Sequence, residues 1–177
     1  MFVQILGGVI GAAMSKYLTE GNAILSNPGC FGPNFGIGGG QVFFWELVAT
    51  FVLVSVVFAT AVDDAASGHF VSVAPLAIGL SLFACAQACG PFTGGCLNPA
   101  RFLGPAIVFG CGWGSFVPYV FGELIGGALG GGLFRLRLKL QQAYQDTIAE
   151  IAERQRVAEE SAPGSEAEEM PLRASEA

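Results

Sequence analysis

The feature that most constrains this chain is the uneven distribution of its charges. Of its 22 charged residues, 15 lie after residue 134, and the first 134 residues carry only Lys16, Glu20, Glu46, Asp63, Asp64, Arg101 and Glu123. Hydrophobic residues make up 53% of the chain, and its mean hydropathy is +0.59. These values are too apolar for a soluble domain of this length. We therefore predict an all-α membrane protein with its membrane body in residues 1–134.

Hydropathy divides the membrane body into four predicted spans, each close to the roughly 20 residues that cross the hydrocarbon core of a bilayer. The spans run from Phe2 to Leu18, Val42 to Val62, Val71 to Cys89, and Phe116 to Phe134. Glycine, proline and asparagine are dense between the first two spans, which predicts a long irregular loop there.

A different pattern separates the third and fourth spans. Residues 90–105 read GPFTGGCLNPARFLGP, and the apolar stretch that follows is too short to cross a bilayer. Irregular backbone at membrane depth must be buried in protein or line an aqueous cavity. We predict a re-entrant half-helix, capped by Asn98 and with Pro99 in its first turn. An ordinary surface loop is the alternative.

The segment after the last span divides into two predicted regions. Residues 135–160 form an amphipathic cytoplasmic helix, because its larger apolar residues recur at helical spacing, and it either lies on the membrane or stays solvated. Residues 161–177 are rich in Pro, Ser and Glu, which predicts a disordered acidic tail. Arg135, Arg137 and Lys139 directly follow the fourth span, which favours a cytoplasmic location for that end. With four spans, both termini are then cytoplasmic.

Of the seven charged residues of the membrane body, we single out three at predicted membrane depth, where charge is costly and usually functional: Glu46, Arg101 and Glu123. Arg101 follows the predicted half-helix start at Asn98, where the helix dipole is already positive. The two sources of positive potential would repel cations and protons, while the amide and guanidinium donors could bind the oxygen of a neutral molecule. The alternative is that Arg101 only pairs with Glu46 or Glu123 to stabilise the bundle.

Several other classes of function are disfavoured. No basic stripe suggests nucleic acid as a partner. Five cysteines and one histidine make a zinc site or a disulfide framework improbable, so small buried thiols are the better interpretation. No nucleophile, base and orienting group are grouped as an enzyme would require, and we expect no cofactor and no metal.

The motifs WELVATF (45–51), PLAIG (75–79) and GPFTGGCLNPARFLGPA (90–106) resemble the second half of the aquaporin, or major intrinsic protein, family. FATAVD and GPFTGG are especially similar to the plant vacuolar-membrane, or tonoplast intrinsic, branch. The resemblance covers residues 2–134 and implies an aquaporin-like bundle of four spans and one half-helix. Asn98, Pro99 and Ala100 match the second NPA box, whose asparagine donates to permeating molecules, and Arg101 matches the arginine of the selectivity filter.

Further site residues are implied in the same way. Ala86 and Gly95 occupy filter positions, and Glu46 matches the buried glutamate that supports the pore loop. Because Ala86 and Gly95 are small, we expect passage of glycerol, urea or ammonia besides water. Cys96 is a candidate mercurial site, one position away from the sensitive cysteine of the family.

This chain also departs from the family pattern. It resembles only the third span and the second repeat of an inverted-repeat channel. Either upstream sequence is missing, which we favour because the chain begins within a predicted helix, or the product is a truncated subunit that joins full-length channels without conducting. The family further implies tetramers in a lipid bilayer, in the plasma or vacuolar membrane. Glu123 replaces a proline common in the family, and we expect it either to pair with Arg101 or to lie near the outer interface.

Overall fold

The structure is a computed structural model that describes residues 2–19, 29–62 and 68–161. Within them the regular structure is entirely helical: α1 (Phe2–Thr19), α2 (Gly39–Val57), α3 (Gly68–Thr93), α4 (Pro99–Phe109) and α5 (Phe116–Ser161). A π-helical segment, Phe58–Val62, extends α2, and a 3-10 turn, Trp113–Ser115, precedes α5. The all-α fold predicted from hydropathy is confirmed.

Four stretches of the described residues are long and apolar enough to cross a membrane, and α4 is the short apolar helix between the third and fourth of them. These four stretches confirm the predicted spans, with bounds at Phe2–Thr19, Gly39–Val62, Ser72–Thr93 and Trp113–Ser161. Large apolar side chains remain exposed along α1, α2, α3 and α5, as expected of helices that face lipid.

Glycines bring α5 close to α2. A Cβ atom at Gly122 would lie 2.7 Å from the Phe43 carbonyl oxygen, and one at Gly126 would overlap the Leu47 carbonyl oxygen. Lipid tails are as apolar as the helices, so close backbone packing supplies much of the attraction between spans. The glycine spacing in the sequence therefore determines the position of α5 on α2.

The centre of the membrane body is a small aromatic and aliphatic core. Tyr119 and Val42 are fully buried, and Phe102 is 2% exposed. The rings of Phe102 and Tyr119 stack with their centroids 5.1 Å apart. This contact joins α4 to α5 and positions the start of α4 inside the bundle.

The prediction that all cysteines are free thiols is wrong. Cys30 and Cys111 form a disulfide, with Cα atoms 6.0 Å apart, whereas Cys85, Cys89 and Cys96 are free and buried. The paired residues are 81 positions apart in sequence, and the sequence around them does not indicate that they pair. The disulfide joins the segment that precedes α2 to the turn after α4.

Residues 137–161 are the described part of a second unit. They form the later part of α5, with local ion pairs Arg154–Glu150 at 2.7 Å and Arg156–Glu153 at 2.9 Å. The hydrogen bonds that Arg156 donates to the Glu153 carboxylate raise the pKa of Arg156. The predicted disordered tail lies, apart from its first residue, outside the described residues.

Candidate functional site

The site is built on the loop formed by residues 94–98, which connects α3 to α4. Glu46 of α2 is fully buried beneath it. Its Oε1 accepts hydrogen bonds from the Thr93 hydroxyl at 2.6 Å and the Cys96 amide at 3.1 Å. Its Oε2 accepts from the Leu97 amide at 2.8 Å. One carboxylate thus pairs three donors in a region where unpaired polar groups are costly.

The backbone of this loop is unusual. Gly94 and Gly95 have φ of +81° and +66°, and Leu97, which carries a side chain, has φ of +56°. A left-handed conformation costs a residue with a Cβ about 1–2 kcal/mol. The hydrogen bond from the Leu97 amide to Glu46 holds that conformation. As a result, the carbonyl groups of residues 95 and 96 point toward Arg101.

Asn98 begins α4 as predicted. Its backbone is extended, its side-chain Oδ1 accepts a hydrogen bond from the Ala100 amide at 2.9 Å, and Pro99 occupies the first turn. The cap orients the side chain of Asn98 across the start of the helix. Its remaining NH₂ group is a donor, and Asn98 lies on an exposed surface of the membrane body.

Arg101 lies on the same side, held from two directions. Its Nη1 donates to the Gly95 carbonyl at 2.9 Å and to the Cys96 carbonyl at 3.2 Å. The Phe31 ring lies 4.8 Å from its guanidinium carbon, within the range of a cation–π contact. These contacts fix the position of the positive charge next to the N-terminus of α4, where the helix dipole adds to it.

The alternative role for Arg101, pairing with a buried glutamate, does not fit these contacts. Glu46 is occupied by donors of α3 and the 94–98 loop. Glu123 is 2% exposed, and its carboxyl oxygens have no hydrogen-bond partner among the described residues. The expected pair between Glu123 and Arg101 is therefore not formed, because α5 packs tightly on α2 and buries this turn. The position of Glu123 near the outer interface stays a prediction.

Ala86 and Gly95, the two small filter candidates, touch one another. A Cβ atom at Gly95 would lie 3.2 Å from Ala86 Cα and 3.3 Å from Cys89 Sγ, so its missing side chain allows close approach to α3. Ala86, but not Gly95, borders a space that opens on one side of the bundle. This cavity has a volume of about 430 Å³ and is lined by Leu53, Gly79, Leu82, Phe83, Ala86, Cys96, Leu97, Asn98 and Arg101. Of the six residues predicted for the filter and the NPA box, three line this cavity: Ala86, Asn98 and Arg101. Pro99 and Ala100 border a separate cavity, and Gly95 packs against α3.

Cys96 also borders the cavity but is only 1% exposed. Its thiol points toward the Asn98 carbonyl oxygen, with 3.5 Å between sulfur and oxygen. A mercurial would have to reach a largely covered sulfur atom, and the mercurial site stays a prediction.

Three supporting residues were not identified from the sequence. Thr93 and Tyr119 extend the network under the loop, because the Tyr119 hydroxyl donates to the Thr93 carbonyl at 2.6 Å. Phe31 packs on Arg101 from a loop 70 residues earlier in the chain. Thr93 lies within the GPFTGG motif, which could have identified it as a site residue. The only sequence signal for Phe31 is its position beside Cys30.

Comparison with known proteins agrees with this geometry. The family model described as major intrinsic protein matches residues 1–134. Similar proteins include the probable aquaporin TIP-type RB7-18C of Nicotiana tabacum, 40% identical over 131 residues that make up 74% of this chain and 50% of that protein. Another is the probable aquaporin TIP2-1 of Oryza sativa subsp. japonica, 42% identical over 133 residues, with 72% and 49% covered.

A solved structure shows the same fold. The aquaglyceroporin from Plasmodium falciparum superimposes with a TM-score of 0.62 over 78% of this chain and 63% of that chain, at 24% identity. The chain spans about half the length of the plant relatives that it matches.

Proposed function

This chain belongs to the major intrinsic protein family, and on that premise we propose that it forms half the wall of a passive channel for water and small neutral solutes. It is a multi-pass membrane protein, with four stretches able to cross a bilayer. The channel requires no cofactor, metal or catalytic group. The other half of the wall would come from a first repeat outside this chain.

The observation that carries the proposal is the shared wall formed by Asn98 and Arg101. The asparagine amide is a donor at the start of α4, and the guanidinium is fixed against the carbonyls of Gly95 and Cys96. An arginine combined with the positive end of a half-helix raises the energy of a cation or proton while leaving donors free for a neutral oxygen. This arrangement suits permeation without ions.

The solutes follow from the size of the wall residues. Ala86 has the smallest side chain that contains carbon, so it does not narrow the cavity of about 430 Å³ that it lines. We propose that glycerol, urea or ammonia passes besides water. Names of the plant relatives include TIP-type aquaporins, which supports the vacuolar membrane as the location. We further propose tetramers as the assembly and cytoplasmic locations for both termini, the latter from the basic residues that follow the fourth span.

Transport is tested by joining the first half of the Nicotiana tabacum relative to the full chain and reconstituting the product in liposomes. We expect osmotic water flow well above that of empty vesicles, with urea entering as well. Arg101→Val should admit protons and monovalent cations, measured with a pH-sensitive dye and by conductance. Arg156→Val, which changes an exposed arginine of the second unit, is the matched control. A folded fusion without water flow would refute the channel function.

The second candidate function is a subunit that joins full-length channels and does not conduct. It is favoured by an open face of α1, where a Cβ at Gly7 or Gly11 would meet no atom of the described residues within 4 Å. This function predicts that the unfused chain copurifies with the full-length relative and lowers its water flow per molecule. Absence of copurification would eliminate it.

A further inference from the structure

The first and last spans contain the same short pattern. Residues 4–11 read QILGGVIG and residues 123–130 read ELIGGALG, so glycines recur at matching positions and aliphatic residues match between them. Gln4 in α1 corresponds to Glu123 in α5. Successive spans cross a bilayer in alternating directions, so the first and fourth spans run in opposite senses. The chain therefore carries an inverted internal repeat in its outer two spans.

Each copy of this pattern offers two glycine surfaces, and each has a close helix partner on only one of them. In α5, Gly126 packs against the α2 backbone, whereas a Cβ at Gly127 would make only ordinary contacts, 3.8 Å or longer. In α1 the situation is reversed. Gly8 packs against α4, because a Cβ there would lie 2.6 Å from the Ala100 carbonyl oxygen, while a Cβ at Gly7 would meet no atom within 4 Å in the part of the chain that the structure describes.

The repeat identifies what is absent beside Gly127. Because the equivalent glycine of α1 receives the first turns of the half-helix α4, the Gly127 surface is shaped to receive the first turns of another half-helix. A cavity of about 320 Å³ lies at this surface. Gln4, Thr50, Asn98, Glu123 and Gly127 are among the residues that line it. We refer to this space as the Glu123 cavity.

The chemistry of the Glu123 cavity points to the same occupant. Glu123 is 2% exposed and Thr50 is 4% exposed, yet neither carboxyl oxygen of Glu123 nor the hydroxyl of Thr50 has a hydrogen-bond partner among the described residues. The Cys96 thiol and the Asn98 backbone lie near the carboxyl group without forming a bond of normal geometry. Buried acceptors of this kind require donors.

A helix N-terminus supplies what these acceptors lack. Its first backbone amides have no partner within the helix, and its dipole favours a negative group nearby. Gln4 shows the corresponding placement, since it borders the cavities at the start of α4 together with Asn98 and Ala100. We propose that Glu123 anchors the N-terminal end of a second half-helix, whose first amides donate to its carboxyl oxygens.

The occupant is a membrane segment outside this chain, and the inference rests on the proposed function, in which a first repeat completes the wall. A second copy of this chain in the same orientation cannot supply it, because its own α4 would enter from the same face. The occupant must enter from the opposite face, as the inverted relation of α1 and α5 requires. The short span of this chain relative to its plant relatives leaves length for such a segment.

The test uses the full 177-residue chain coexpressed with a separately tagged first half of the Nicotiana tabacum relative. Association is measured by energy transfer between the two tags in vesicles over a range of protein-to-lipid ratios. We expect Glu123→Leu to weaken association about tenfold and Glu123→Gln, which keeps one acceptor oxygen, to weaken it less. Gly127→Leu, which fills the cavity surface, should also weaken it. Glu160→Leu, an exposed acid farther along α5, is the control and should have no effect.

A second measurement does not depend on affinity. Dicyclohexylcarbodiimide, an apolar reagent for carboxyl groups, should label Glu123 in the chain alone, and the first half should protect it, as measured by peptide mass spectrometry. If the wild-type halves associate, and Glu123→Leu and Gly127→Leu associate equally well, this inference is overturned while the channel function stays intact. Failure of the wild-type halves to associate, together with a fusion that does not conduct water, would overturn both. Equal protection by a second copy of the chain would overturn the choice of occupant.

Discussion

Glu46 and Glu123 are both buried carboxyl groups of the membrane body, but their surroundings differ completely. Glu46 is fully buried and accepts three hydrogen bonds from Thr93, Cys96 and Leu97. Glu123 is 2% exposed and accepts none from the described residues. The first carboxylate completes a network inside this chain, whereas the second is an acceptor without a donor.

The difference teaches that burial alone does not define a structural role. Within a membrane, a buried carboxylate stabilises a fold only if its desolvation is compensated by donors. The region around Glu46 therefore satisfies its own carboxylate, whereas the described residues around Glu123 leave both of its carboxyl oxygens without a donor. Four substitutions test this contrast, ordered here by expected effect.

Glu46→Leu should have the largest effect. It removes the acceptor of three buried donors, and each donor left unsatisfied costs about 1–3 kcal/mol. We expect a loss of at least about 3 kcal/mol in the free energy of unfolding, measured by denaturant titration in detergent micelles. Glu46→Gln, which keeps one oxygen acceptor, should have a free energy of unfolding between those of Glu46→Leu and the parent chain. Equal stability of Glu46→Leu and the parent would remove the basis for the comparison.

Glu123→Leu should have the opposite sign. In the chain alone it replaces an unsatisfied buried carboxyl group with an apolar side chain of similar size. The free energy of unfolding should therefore rise by about 1–3 kcal/mol. The same titration measures this gain. A loss of stability would mean that the carboxyl group already has a partner in the isolated chain.

Thr93→Val probes the Glu46 network at one of its donors. It removes the hydrogen bond of the hydroxyl to Glu46 and the one that this hydroxyl accepts from the Gly95 amide at 3.2 Å. The remaining two donors keep Glu46 partly satisfied, so we expect a loss of about 1–2 kcal/mol in the free energy of unfolding. The hydrogen exchange of the residue 94–98 amides should accelerate, and unchanged exchange would place the support of this loop elsewhere.

Tyr119→Phe should have the smallest effect. The hydroxyl donates to the Thr93 carbonyl, and a neutral hydrogen bond contributes about 1 kcal/mol. The ring and its stacking on Phe102 remain, so the change isolates the single bond. A double-mutant cycle with Thr93→Val measures whether the two bonds act together, and simple additivity would show that they do not.

The four spans and the start of α4 were predictable because their causes are local. Hydropathy over about 20 residues determines a span, and the cap of α4 joins Asn98 to Ala100, two residues later. The motif match also indicated which side chains share one wall. It did not show that a Cβ at Gly95 would meet α3 rather than open space, because that depends on how closely α3 approaches.

The sequence by itself determined the membrane body, its helical spans, the half-helix with its cap and the arginine beside it, since each depends on residues within a few turns of one another. Only the tertiary structure decided the Cys30–Cys111 disulfide, the packing of Phe31 on Arg101 and the contrast between Glu46 and Glu123. These features join residues tens of positions apart. Their energies depend on which donors, rings and sulfur atoms the packed helices bring into contact. Local patterns in the sequence do not specify these contacts.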